Sequence, residues 1–182
     1  MRSEDGQSLL EVITAAAVGI LVVAALTYAT IFSLRNATFA KNSTQATKLA
    51  QEGIERVRSI RDRDSAISTN INYPGSSPSR NINKFSELYA MDLSHTNCNT
   101  VSGDAPCYFR FVSGVLTKGT AVNFEDVNLF KRQILIGDQT VSLCNANDYD
   151  KYCNQKTITV IVKWTDFAGN HQSKLTTILR KL

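Results

Sequence analysis

An α+β fold is expected, with one long N-terminal helix packed on a C-terminal antiparallel β-sheet. Three observations predict it. Residues 12–34 form an apolar run with no formal charge and no proline. An amphipathic stripe follows without a break to about Asp64. Near the C-terminus, Ile158, Val160, Val162 and Trp164 alternate with Thr159, Ile161, Lys163 and Thr165, the period of a strand with one buried face.

The apolar run is 23 residues long. At about 1.5 Å per residue it spans roughly 35 Å, enough to cross a bilayer. Just before it stands Glu11. Near the bilayer centre an acid costs about 2.5–3.5 kcal/mol on insertion scales, so an acid in such a helix is by default a functional position with a partner. Beyond the run, Ala46, Leu49, Ala50, Gly53, Ile54, Val57 and Ile60 recur at three- and four-residue steps, and Glu52 and Arg56 form an i,i+4 pair of favourable orientation. One helix over residues 8–64 would be roughly 85 Å long. Its first half is apolar nearly all round and its second half is one-sided.

Residues 65–83 read as a loop, because Asn70, Asn72, Pro74, Gly75 and Pro78 are turn formers. Strands are expected at residues 108–112 and 129–136, and at 157–165. A hairpin turn is expected at residues 166–170, with a return strand at 175–179. Trp164, Tyr108, Phe109 and Phe111 sit at alternating strand positions and are expected in the core rather than on a binding surface.

Four cysteines occur, Cys98, Cys107, Cys144 and Cys153, and each neighbouring pair encloses eight residues. Three connectivities exist. Pairing of Cys98 with Cys107 and of Cys144 with Cys153 is favoured, because both loops are short and rich in turn formers. Each bond would stabilise by roughly 2–3 kcal/mol in the chain-entropy picture. Zinc is disfavoured: no C-x-x-C occurs, and His95 and His171 show no ligand spacing. Both histidines are expected to be isolated surface residues. Residues 145–150 offer oxygen ligands but lack the glycine and the distal glutamate of a calcium loop, so a polar disulfide loop is expected there. No metal, cofactor or catalytic residue is assigned: G-x-S-x-G, H-E-x-x-H and the P-loop are all absent from the sequence. The net charge of +4 is ordinary and leaves nucleic-acid binding undecided.

The segment Gly6-Gln7-Ser8-Leu9-Leu10-Glu11, followed by the apolar run, resembles the class III signal and N-terminal helix of type IV pilins and pseudopilins. The resemblance covers about residues 6–35 closely and extends to about residue 62. It implies that a prepilin peptidase cuts between Gly6 and Gln7 and methylates the new amine. The apolar segment is then retained, unlike that of an ordinary secretory signal. Cleavage removes Arg2, Glu4 and Asp5 and raises the net charge from +4 to +5.

Four regions follow: a leader, residues 1–6; a transmembrane and assembly part of the helix, 7–34; an amphipathic part, 35–64; and an extracytoplasmic β-rich domain, 65–182. Basic residues do not fix the orientation, since Arg2 precedes the span while Arg35 and Lys41 follow it. The leader resemblance and the cysteines place the C-terminal part outside. The implied function is that of a pilin or minor pilin, a subunit held in the inner membrane before assembly and carried in a surface filament afterwards. Other pilin subunits, the peptidase and the membrane would be its partners, and Glu11 would pair with a neighbour's N-terminal amine. Two readings compete: a pseudopilin of type II secretion, and a membrane-anchored extracellular binding domain that never polymerises. An anchored enzyme is disfavoured by the missing motifs.

Overall fold

Good helix formers, no proline and one apolar stripe after another carry the first helix far. In the computed structural model α1 runs over Asp5–Asp62. The structure describes residues 5–71, 80–90, 93, 107–138 and 155–182. The chain divides into two compact units, Met1–Asn42 and Ser43–Leu182. The described residues of the first unit are all helical. The second unit contains the rest of α1, packed on a mixed sheet.

Termination of α1 is set by its last turn. Asp64 adopts a left-handed φ of 44°. The Ser65 N–H donates to the Ile60 carbonyl at 2.9 Å, and the Asp64 N–H to the Arg61 carbonyl at 3.0 Å. This double return is a Schellman motif with aspartate where glycine is usual. The Asp64 carboxylate compensates by accepting the Ser86 N–H at 2.9 Å, which ties the helix end to the 3-10 helix Phe85–Ala90.

Seven strands follow: β1 (Ile67–Ser68), β2 (Cys107–Val112), β3 (Val115–Lys118), β4 (Glu125–Val127), β5 (Phe130–Asp138), β6 (Gln155–Asp166) and β7 (Gly169–Arg180). Their order is β1-β3-β2-β5-β6-β7, with β4 also on β5. Pairing is antiparallel except between β1 and β3, so the sheet is mixed rather than wholly antiparallel. The parallel pair arises because β1 enters straight from the end of α1. Two turns follow from local chemistry. Ser113 and Gly114 both have positive φ, the two-residue hairpin geometry that matches strand twist. Gly169, at φ 121°, closes the β6–β7 hairpin in a conformation that side chains resist.

Every expected strand is present, most of them longer than expected. The return strand begins at Gly169 rather than at residue 175. The expected loop at 65–83 is corrected in part. Ile67, Ile71 and Ile82 are buried, and β1 lies within it, because three isoleucines among the turn formers have apolar area to hide. Its turn-dense centre, residues 72–79, lies outside the described residues.

The core lies between the second half of α1 and one face of the sheet. Ala46, Ala50, Ile54, Val57 and Ile60 are buried against Phe109, Leu116, Ile134, Ile136, Ile158, Val160 and Val162. Gly53 marks the closest approach. A Cβ there would stand 2.9 Å from Val160 Cγ1 and 3.3 Å from Arg132 Cδ. Trp164, Phe109 and Phe111 are core residues as expected. Tyr108 is only half-buried, since its odd-even register turns it to the other face of β2.

Candidate functional site

The backbone at Gly6 and Gln7 is helical, at the start of α1. Glu11 follows on the same helix, among exposed apolar side chains: Leu9, Leu10, Val12, Ile13, Val18, Ile20 and Leu21. None of the 18-residue stretch that qualifies as a membrane span is covered by the rest of the protein. This is one helix long and apolar enough to cross a membrane. Three of its hydroxyls are satisfied internally. Thr14 donates its hydroxyl to the Glu11 carbonyl at 3.0 Å, Thr27 to that of Val23 at 2.8 Å, and Thr30 to that of Thr27 at 2.8 Å. Hydrocarbon cannot supply those bonds, so a lipid-facing helix must. No side-chain hydrogen bond or ion pair reaches the Glu11 carboxylate from the described residues. The arrangement presents one carboxylate in an otherwise apolar surface.

Cys107 opens β2, is fully buried and is not a free thiol. Cys98, Cys144 and Cys153 lie outside the described residues, as do His95 and residues 145–150.

Two polar constellations escaped the sequence reading. The first is built on Arg132 of β5, whose side chain is 1% exposed. Its guanidinium grips Glu125 of β4 with two bonds, Nε to Oε2 at 2.8 Å and Nη2 to Oε1 at 2.9 Å. Nη1 donates to the Leu49 carbonyl of α1 at 3.1 Å and lies 3.5 Å from Glu52. The guanidinium also stands 5.4 Å from the Phe111 ring centroid, as does that of Arg56. Arg56 in turn pairs with Glu52 at 2.7 Å, the pair foreseen from the sequence. A buried cation thus binds helix to sheet with its donors directed at acceptors, which burial requires. The signal was a charged residue at an inward slot, since Phe130, Ile134 and Ile136 share the parity of Arg132.

The second is at the β6–β7 hairpin and corrects the expectation for His171. Its ring stacks on Trp164, centroids 5.4 Å apart and planes at 28°, and its Nε2 lies 2.9 Å from Asp166 Oδ1. The same oxygen accepts the Ala168 N–H at 2.8 Å. Register explains this: Trp164 and His171 are directly opposed across the hairpin. Burial acts to raise the Asp166 pKa. The Ala168 N–H, the His171 ring and the Gly169 N–H outweigh it and hold the carboxyl below the usual carboxylate range. A depressed folded pKa contributes stability that is present above the unfolded value, about 3.9. That stability is lost as pH falls through the folded value. Asp166→Asn should therefore melt with a shallower acid limb than the wild type between pH 5 and pH 2. Parallel limbs in thermal melts across that range would contradict the assignment.

Among the described residues there is no group of three or more His, Cys, Asp or Glu that could hold a metal ion. No protein-family model, curated protein or solved structure matches this chain.

Proposed function

We propose that the chain is a structural subunit of a type IV pilus, a pilin or minor pilin that polymerises through its N-terminal helix. The observation that carries this reading is the bare apolar surface of α1, with Glu11 in it and no group among the described residues to meet its carboxylate. A helix that packs on its own domain at one end and exposes apolar side chains at the other needs an external partner for the exposed part. Lipid serves before assembly, and other subunits serve in the filament. Prepilin peptidase cuts after Gly6, and the freed amine of Gln7 is methylated. That amine exists only after the cut, so pairing it with Glu11 of a neighbour makes assembly wait for processing. The C-terminal unit lies outside the inner membrane, where Cys98–Cys107 and Cys144–Cys153 form as local disulfides.

Mass spectrometry of the filament fraction tests this. The intact mass should correspond to a chain beginning at methylated, uncyclised Gln7. A non-reducing digest should link Cys98 to Cys107 and Cys144 to Cys153. Filament subunits that retain Met1 would sink the processing scheme, and crossed cysteine peptides would refute the local pairing.

A further inference from the structure

The face of the sheet turned away from α1 carries a charge pair that folding does not explain. Lys131 of β5 and Lys163 of β6 are register partners, and Gln172 of β7 completes the row. Directly opposed side chains start about 4.5–5.5 Å apart at Cβ, and like charges there oppose folding. Neither lysine forms an ion pair with any described residue. Asp126 of β4 is the other register partner of Lys131, yet it is exposed and makes no ion pair with it. Among the described residues, Lys163 Nζ meets the Phe124 ring, at 4.8 Å from its centroid.

Both lysines line a cleft of about 650 Å³ at the hairpin end, together with Leu129, Thr165, Asn170 and Gln172. That volume is in the usual range for a small-molecule site, roughly 300–1,000 Å³. Thr165 donates its hydroxyl to Asn170 Oδ1 at 2.7 Å. The Asn170 carbonyl oxygen is thereby engaged, and the amide is left as a donor. The rim adds the strongly exposed Leu129.

We propose that this cleft binds a sugar acid: a hydroxylated ring bearing one carboxylate. The two ammonium groups take the carboxylate through charge-assisted hydrogen bonds. Asn170 and Gln172 meet ring hydroxyls, and Leu129 covers an apolar ring face. Neutral amides and an apolar wall would be idle toward a bare phosphate. Two cations beside Asp126 are too few for a polynucleotide, whose affinity grows with each phosphate neutralised. The inference stands whether or not the chain polymerises.

Binding is read directly, by isothermal titration calorimetry. The experiment titrates the full chain in detergent micelles with galacturonate, galactose and inorganic phosphate. Galacturonate should give a saturable change, at least tenfold tighter than either of the others. Lys131→Gln and Lys163→Gln should each weaken it tenfold or more. Lys131→Gln should melt no lower than the wild type, because it removes the like-charge contact and leaves the Phe124 ring untouched. Lys174→Gln, on the same face but outside the cleft lining, should bind as the wild type does. The proposal is overturned by the absence of saturation, by phosphate or galactose binding as tightly as galacturonate, or by a loss in Lys174→Gln equal to that in the cleft variants. A variant of Lys131 or Lys163 that no longer folds also overturns it, since the pair would then support the fold.

Discussion

Arg132→Ala should destabilise the C-terminal unit by about 3–5 kcal/mol, the usual cost of removing one partner from a buried ion pair. The loss has two sources. Glu125, whose side chain is 17% exposed, is left without the two-bond grip that offsets its desolvation. The Leu49 carbonyl loses its contact from the sheet, and with it α1 loses a polar tie to β5. A domain of this size is stable by only about 5–15 kcal/mol, so the variant should unfold at much lower urea. The double variant Arg132→Met, Glu125→Leu should recover most of the loss, because apolar residues of similar volume carry no unpaired charge. Urea titration of the full chain in micelles, followed by Trp164 fluorescence, measures both. An Arg132→Ala midpoint within the equivalent of about 1 kcal/mol of wild type would show that water reaches the pair and screens it.

On the proposed function, Glu11→Ala should abolish incorporation into filaments while leaving the subunit inserted, processed and folded. Replacing an acid by an apolar side chain lowers the cost of residence in lipid, so the membrane pool should persist. What would disappear, on that proposal, is the attraction for the amine of the next subunit. In a minor subunit the filament would survive without it. Subunit content of sheared filaments, set beside that of the membrane, gives the readout. Equal incorporation of wild type and variant would favour a plain anchor. Depletion from both fractions would assign Glu11 to insertion or stability instead.

Periodicity made much of the fold legible. The stripe from Ala46 to Ile60 faces the sheet as its spacing requires, and Gly53 falls where the helix comes nearest to Val160. Along residues 157–165, Ile158, Val160, Val162 and Trp164 are buried as their spacing requires, and Thr159 breaks the alternation by being buried as well. Short strands were invisible for a physical reason. Two residues in β1 and three in β4 are below the length at which a period of two shows, and their pairing is decided by distant partners. Arg132 was hidden differently. A lone arginine in a strand suggests an outward side chain, and the inward position is made tolerable by Glu125 on the neighbouring strand together with Leu49 and Glu52 of α1, which are remote in sequence. Gln133 was missed on the other face. It is buried because its amide reaches three carbonyls of one loop, those of Thr120, Ala121 and Asn123. His171 looked isolated because its partners are set by the hairpin register and not by ligand spacing. The candidate site in α1 was legible because a carboxylate beside a charge-free run is conspicuous in one dimension.

The threonines of α1 have a consequence for exchange between environments. A hydroxyl that has already spent its proton on its own backbone asks nothing of whatever surrounds the helix. Thr14, Thr27 and Thr30 are in that condition. Moving the segment from acyl chains to protein side chains therefore breaks none of these bonds and forms none. The transfer is close to neutral for these three hydroxyls, and its direction is left to packing and to the side chains that make no such bond, the Glu11 carboxylate and the Tyr28 and Ser33 hydroxyls.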